Sequence, residues 1–526
     1  MAFNASRRNF LRGLAGISML GSTGCFSIGK AGPKKIRLAA VGIMGKGFGD
    51  WYPMLKQGKA ELVALCDADA RQFKEAAAWC KRLSDSGEGI RGLDITKVPF
   101  YTDYRRMLDD QAKPQIDAMT VSTPDHMHAA IAIRAMKMGI HCYVQKPLVR
   151  TLWEAKYFGD TAREYGVITQ MGNQGSAGEG FRRNVEILQS GILGDVTEVH
   201  VWTNRPVWPQ GKLALAAATT RKIVTPPAGL DWNAWLGVAS GRPYREDYAK
   251  GTPEAQFATG IYHQFNWRGF IDFGCGAFGD MACHTMNLPF RGLELGAVTD
   301  AECTQVEEAN AVSFPVKSTV CLTYAERMSK VRPGVKLPAV RLYWYDGDQQ
   351  AKGDAKLAAL MPQVVAMKQY AGKVPQTGCL VVGTKGILCS CADYGQEAFF
   401  ALKGDKVAVS TLEHEACKAV PTSIPRRPDL AVGNENAPGA AAMAAEGHYF
   451  EFLDAINGTS PVYDQVGSRC YSDVDFSIPI MESIHVGTVA QQVAGTRLNW
   501  DSAKQLFDVE AANTLVRPAI RRGFDF

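Results

Sequence analysis

The sequence predicts an α/β protein: a first domain built on a parallel sheet, then an α+β domain with a mainly antiparallel sheet. Three observations predict it. Up to about residue 172, short apolar runs alternate with helical segments, the pattern of buried parallel strands joined by crossover helices. A glycine-rich turn, Gly42-Ile43-Met44-Gly45-Lys46-Gly47, directly follows the first apolar run. From Val298 to about Val420 the pattern changes to short alternating segments, as in an antiparallel sheet with one wet face.

Taken in order, Ile36 to Val41 reads as the first strand, an amphipathic helix follows over Trp51 to Gly58, and Glu61 to Cys66 is the second strand, ending at Asp67. Asp67 follows Gly42 by 25 residues, close to the ~20 of a dinucleotide-binding fingerprint. Glycines let the backbone turn sharply and approach a pyrophosphate, and the helix start offers unpaired N–H groups to its charge. An acid after the second strand accepts hydrogen bonds from a ribose and repels a 2′-phosphate, so NAD is favoured over NADP. Met44 stands where the second glycine of a G-x-G-x-x-G register belongs, and Gly45 supplies the freedom instead.

At 526 residues the chain has room for two or more domains. A net charge of +5 without any basic tract argues against nucleic acid as a partner. The thirteen cysteines are scattered: Cys389 and Cys391 form C-x-C, but no paired C-x-x-C points to zinc or a disulfide framework. Residues 1–33 read as an export signal. Ser6-Arg7-Arg8-Asn9-Phe10-Leu11-Arg12 matches the twin-arginine pattern, and the apolar stretch from Leu14 to Leu20 is too short to span a bilayer stably. Gly24-Cys25 resembles the end of a lipoprotein signal, although Ser22 stands where leucine is usual, so lipid on Cys25 stays open. A periplasmic or otherwise exported location is expected. An exported nicotinamide enzyme meets little free NAD, so it has to hold its cofactor tightly and regenerate it within the site.

Further along, Ile116 to Val121 is a buried strand that ends in Ser122-Thr123-Pro124-Asp125-His126-Met127-His128. Pro124 suits a first helical turn with Thr123 as its cap, and the helix from Ala129 to Met138 stops at Gly139. The strand His141 to Val144 delivers Gln145-Lys146-Pro147 at its carboxyl end, the edge where open α/β sheets place ligands. After a helix from Thr151 to Tyr165 and a strand from Val167 to Met171, Gly172-Asn173-Gln174-Gly175 crosses into the second domain. Asn173 and Gln174 either face the cleft or form a polar hinge turn. The first domain is placed at 34–172 and the second at 173–526. Within the second, Asp354 to Tyr370, Glu446 to Gly458 and Pro479 to Gly495 read as helices, and Ser423 to Ala444 as a surface loop.

The glycine loop, the Asp67 strand, the Ser122–His128 stretch and the Lys146-Pro147 pair together resemble the Gfo/Idh/MocA oxidoreductase family. The resemblance spans nearly everything after the signal and extends to Gly279-Asp280-Met281-Ala282-Cys283-His284, the family's Gly-Asp-x-x-x-His pattern. It implies a Rossmann domain that binds NAD through Gly42, Met44, Gly45, Gly47, Asp67, Ser122, Thr123, Pro124, His126, His128, Gln145 and Lys146. The family's usual Glu-Lys-Pro is Gln145-Lys146-Pro147 here, which keeps the lysine and removes a charge. By the same resemblance Lys146 is catalytic, His284 is the general acid–base, and Asp280 binds substrate or orients the imidazole. An ammonium near the reacting hydroxyl stabilises developing alkoxide charge, and a histidine titrates near working pH. Asp280 and His284 are four apart, hence on one helical face. Such a pair is also half of a metal site, but no third ligand is near, and no metal is expected. His126 and His128 form H-x-H on the cofactor-side loop, where capping or nucleotide contact is the expected role.

Aromatic faces beside amide and guanidinium groups suit sugar rings. Asn173, Gln174, Arg205, Trp208, Trp267 and Asp280 are therefore the candidate substrate residues. Trp202 is a further stacking candidate, and each tryptophan is equally at home in a core. The expected function is hydride transfer between a sugar or glycoside ring carbon, C3 by analogy with relatives, and a tightly bound NAD. The alternative is a redox-neutral glycosidase that oxidises C3, eliminates the aglycone and returns the hydride. It needs an additional base near C2, with Tyr262 or His263 as candidates. A non-catalytic nucleotide-binding protein is the second alternative. The expected partners are a small carbohydrate and further copies of the chain, with membrane contact only through lipid on Cys25.

Overall fold

The computed structural model describes residues 35–110, 115–347, 354–426, 440–459 and 470–526. The twin-arginine stretch, Cys25 and most of the expected loop at 423–444 lie outside the described residues. The first sheet has six strands: β1 (Ile36–Val41), β2 (Ala60–Cys66), β3 (Phe100–Tyr101), β4 (Ala118–Val121), β5 (His141–Gln145) and β6 (Thr169–Gly172). Their order is β3-β2-β1-β4-β5-β6, and every pairing is parallel. The order reverses between β1 and β4, and ligands of such sheets bind in the crevice at that reversal. Both faces are covered, which is why β1 and β4 are buried and, apart from Arg37 and Thr120, apolar, without the alternation of a half-wet strand.

The second sheet has ten strands. It comprises β7 (Val196–Trp202), β8 (Val298–Glu307), β9 (Lys317–Tyr324), β12 (Val340–Tyr345), β13 (Gly378–Gly383), β14 (Gly386–Ser390), β15 (Ala398–Leu402), β16 (Val409–Ser410), β17 (Arg497–Asp501) and β18 (Leu506–Phe507). β10 (Arg327–Met328) and β11 (Lys336–Leu337) form a separate ribbon. The order is β16-β15-β14-β13-β7-β12-β9-β8-β17-β18, antiparallel except for the β7–β12 pair. The chain is therefore α/β, a Rossmann-type domain plus a mainly antiparallel α+β portion.

Helix ends follow local chemistry. Thr151 Oγ1 accepts from Glu154 N at 3.3 Å and starts the helix Leu152–Tyr165, which stops at Gly166 in the left-handed region. Other expectations need correcting. The first crossover helix is Phe48–Met54, beginning three residues before the expected start, because the turn needs its N–H groups directly after Gly47. Thr123 caps nothing: its hydroxyl has no hydrogen-bond partner, a 3₁₀ turn over Asp125–Met127 comes next, and the helix is His128–Lys137. The helix expected from Asp354 breaks at Met361 into Asp354–Leu360 and Pro362–Val365, since Pro362 cannot continue the preceding ladder. Pro479 lies inside the helix Val474–Gln492, which starts earlier because the Asp473 carboxylate accepts from Asp475 N and Phe476 N.

One face of the parallel sheet is closed by sequence-distant helix. Tyr449, Phe452 and Leu453 of the helix Ala440–Ile456 pack with Leu38, Ala40 and Trp51. Lys59 pairs with Asp454 at 2.6 Å at the same contact. The nucleotide domain thus borrows part of its core from the far end of the chain.

Candidate functional site

A cleft of about 910 Å³ opens at the carboxyl ends of β1, β2, β4 and β5. Its first wall is the glycine turn. Gly42 has φ +76°, and a Cβ there would lie 2.5 Å from the Ser122 carbonyl oxygen. A Cβ on Gly47 would lie 1.8 Å from the carbonyl oxygen of Gly42. Only bare backbone lets this turn close against the loop after β4. Gly45 sits at φ +59° with open space around it, so the departure at Met44 leaves the turn its freedom.

Beneath the turn lies a buried carboxylate, Asp50. It accepts from Lys46 Nζ at 2.7 Å, Ser122 Oγ at 2.7 Å, Tyr449 OH at 2.8 Å and Gln145 Nε2 at 2.9 and 3.0 Å. This gives the glutamine at 145 a physical reason. A glutamate would set a second buried carboxylate against Asp50, whereas the amide donates to it.

These residues fit a dinucleotide. The Thr123 hydroxyl is a buried, unpartnered polar group on the cleft wall. Lys46 puts a cation beside the turn where a pyrophosphate belongs. Asp67, after β2, accepts from Ile43 N and Asp69 N at 3.0 Å each, and a carboxylate has further lone pairs for ribose hydroxyls. Burial pushes its carboxyl up to about 6, against the pull of those N–H groups.

At the other end stand Lys146, Asp280 and His284. Lys146 follows β5, while Asp280 and His284 lie one turn apart on the helix Gly276–Thr285. Lys146 Nζ donates to Asp280 Oδ1 at 2.9 Å and to its backbone oxygen at 3.0 Å. Arg268 Nε reaches the same Oδ1 at 3.3 Å. Burial would raise the Asp280 carboxyl, but the Lys146 and Arg268 charges hold it down to about 2, so it stays ionised. Asp280 therefore positions Lys146 and does not hydrogen-bond the imidazole. His284 packs edge-on against Tyr394 at 4.8 Å, and its nitrogens bond no other described residue. Burial first, then the charge of Lys146, holds its pKa well below the ordinary value. A neutral imidazole facing the cleft is equipped to accept a proton.

Sequence reasoning missed three residues of this group. Arg268 and Asp125 stood inside quoted motifs without an assigned role, and Tyr394 carries no local signal. Asp125 is buried on the cleft wall, and burial and the Asp280 charge push its carboxyl up to about 7.

Other candidates sort by what they touch. Met44, Pro124, Gln174, Arg205, Trp208 and Trp267 line the cleft. Arg205 Nη2 lies 3.5 Å from Asp393, and the Arg268 guanidinium covers Trp267 at 4.4 Å, so that ring's face is already occupied. Asn173 is fully buried behind the wall, with neither amide atom hydrogen-bonded, and is not in the lining. Trp202 is core, donating to Pro375 O at 2.8 Å. His126 and His128 are structural, not cofactor contacts: both rings are buried against backbone carbonyls, of Trp235 for His126 and of Pro147 and Thr123 for His128. Tyr262 belongs to an aromatic core cluster and does not line the cleft. His263 does, but Nε2 pairs with Asp69 Oδ2 at 3.1 Å in the loop after β2. β2 and β5 are three strand spacings apart, roughly 14 Å, so neither residue stands beside Lys146 as the extra base. Among the described residues no group of three or more His, Cys, Asp or Glu is placed to hold a metal, and no helix is long and apolar enough to cross a membrane.

The buried histidines set an acid limit on stability. Burial lowers His126 to about 3, and His128 and His485 to about 4, with His284 and His448 also depressed. Below about pH 6.5 the unfolded chain takes up protons that these rings refuse, so stability falls as pH drops from about 6.5 towards 4, by about 1.4 kcal/mol per pH unit for each uncompensated proton. His200 is lowered by burial as well. Asp67, Asp125, Asp346 and Glu154, whose folded pKa values are raised, work in the opposite sense. Six histidines against four carboxyls leave a net loss, so the melting temperature is expected to fall from about pH 6.5 to 4; a flat profile would contradict the neutral assignments.

Fold and site together define the class: a dinucleotide cleft at the reversal point of a parallel sheet, with a lysine, a carboxylate and a neutral histidine at one end. Residues 36–173 match the family model GFO_IDH_MocA, the oxidoreductase family with an NAD-binding Rossmann fold. This part of the chain is thus an NAD-binding Rossmann domain of the Gfo/Idh/MocA type. Over 166 residues the chain is 30% identical to "Glycosyl hydrolase family 109 protein 2" of Akkermansia muciniphila, covering 31% of this chain and 32% of that one. Over 67 residues it is 37% identical to levoglucosan dehydrogenase of Pseudarthrobacter phenanthrenivorans, covering 13% and 16% of the two chains. The matched stretch spans about a third of the length of the first of these relatives. An inositol dehydrogenase homolog from Azotobacter vinelandii, crystallised with NADH and myo-inositol, shares the fold with a TM-score of 0.54 at 15% identity, over 89% of this chain and 98% of that one.

Proposed function

We propose that this chain is an oxidoreductase that moves a hydride between a ring carbon of a sugar or glycoside, C3 by preference, and a tightly held NAD. The observation that carries the reading is the set of Lys146, Asp280 and His284 at the β5 end of the cleft, opposite Asp67 at the ribose end. Bound NAD⁺ supplies the hydride acceptor. The neutral His284 imidazole takes the hydroxyl proton of the reacting carbon. Lys146, held by Asp280, places its ammonium against the developing alkoxide. Asp280, kept ionised by two cations, fixes that ammonium. Trp208 gives the cleft an apolar wall for a ring face, and Arg205 and Gln174 supply polar edges. Export through a twin-arginine signal is part of this proposal, since it makes a captive cofactor necessary.

The glycosidase reading is favoured by one observation: several of the similar proteins, among them that of Akkermansia muciniphila, carry a glycosyl hydrolase family 109 name. Asp125 and Tyr394 are unassigned titratable groups on the same cleft wall that could supply the extra base it needs. Incubating the full chain with aryl glycosides, without added oxidant, separates the two. Reduced nicotinamide and a keto-glycoside are expected for the oxidoreductase. Free aglycone, with solvent deuterium at C2, would assign the glycosidase. Neither product from any glycoside would remove both readings and leave a nucleotide-binding protein.

A further inference from the structure

The side chains of the stretch from His263 to Arg268 touch both ends of the cleft. At one end His263 Nε2 meets Asp69 Oδ2 at 3.1 Å, two residues beyond Asp67. At the other Arg268 Nε meets Asp280 Oδ1 at 3.3 Å, beside Lys146. Between them Gln264, Phe265 and Trp267 face the cleft. The backbone itself is compact, a turn over 263–265 that runs into the 3₁₀ turn Asn266–Gly269. The His263 and Arg268 side chains therefore make the reach to the two walls of the cleft, which sit over strands roughly 14 Å apart.

The stretch is stiffened from its outer side. The buried Asn266 amide donates to Ala258 O at 3.0 Å and Gly260 O at 2.9 Å, and Trp267 N donates to Tyr262 O at 2.8 Å. Phe257 stacks on Phe265 at 4.9 Å, and the Arg268 guanidinium lies 4.2 Å from the Phe265 ring. The segment behind it is docked to the same loop by Ala70 N to Gly229 O and Asp231 N to Ala68 O, both 2.8 Å. Asp69 itself is fully buried and also holds Arg71 and Gln72, so its carboxylate is a fixed post.

We propose that His263–Arg268 is a retention strap that ties the two walls of the dinucleotide cleft, latched at the ribose end by the His263–Asp69 pair, so that release of the cofactor requires that latch to open. This rests on the NAD reading above and adds to it the residues that keep the cofactor in place. Its consequence is kinetic: the pair acts on the rate of leaving far more than on the contacts NAD makes once seated.

The test uses the full chain as purified. Nucleotide released on unfolding is counted by mass spectrometry, and bound NAD is then chased with excess deuterium-labelled NAD. The wild type is expected to carry about one NAD per chain and to keep it through gel filtration. His263→Ala is expected to exchange at least about tenfold faster at an unchanged melting temperature. His263→Gln, whose amide can still donate to Asp69, is expected to fall between the two; it also serves as the test variant should the alanine form fail to fold. Wild-type exchange complete on mixing, or variants exchanging at the wild-type rate, would overturn the strap and leave NAD binding intact. A chain that neither carries NAD nor takes it up would instead sink the underlying cofactor reading, and the strap with it.

Discussion

Replacing His284 with alanine is expected to lower kcat by about 10²- to 10⁴-fold, the usual contribution of a positioned acid–base group, while the amount of bound NAD stays the same. The reasoning is local. The ring lies one turn after Asp280, is buried, and is kept neutral by that burial and by Lys146. Its nitrogens bond no other described residue, so nothing in the fold depends on its proton. Measuring kcat beside the nucleotide content separates chemistry from cofactor loss. A variant that turns over normally with full NAD content would remove His284 from the mechanism.

Lys146→Ala is expected to cost about 10²- to 10³-fold in kcat, the scale of one lost stabilising donor at a developing oxyanion. It carries a second, sharper signature. The ammonium disfavours an imidazolium at His284, and it is the largest charge effect on that ring. Without it, His284 protonates more readily, so its pKa rises. Because the neutral ring is the active form, the acid limb of the kcat–pH profile must move to higher pH. A limb that stays put or moves to lower pH would show that the two groups do not share a site. Arg268 still faces Asp280 in this variant, so the carboxylate is not left unpaired.

Much of this was legible before any coordinates. The parallel strands were visible because a strand buried on both faces is mostly apolar, as β1 and β4 are. The turn from Gly42 to Gly47 was visible because a close backbone approach excludes a Cβ and so writes glycine into the sequence. Asp280 and His284 were legible as partners on one face because helical periodicity alone puts them there. Asp280's actual partners were not, since Lys146 and Arg268 reach it from 134 and 12 residues away. The same holds for His126 and His128. Their place on the cofactor-side loop suggested capping or nucleotide contact, and only the packing of Trp235 and Pro147 around them shows backbone carbonyls in that place.

What the sequence alone determined is the local chemistry: a nucleotide turn, an acid at the ribose position, and a lysine and a histidine of the right kinds. What only the tertiary structure decided is which charges meet. Asp50 under the glycine turn explains Gln145, Asp280 belongs to Lys146 rather than to His284, and His263 lies at the ribose end and away from the reacting end. The physical reason is range. Backbone conformation and burial are set by neighbours a few residues apart and leave periodic marks. Electrostatic pairing inside a cleft depends on side chains that arrive from strands and helices hundreds of residues apart, and no spacing along the chain records it.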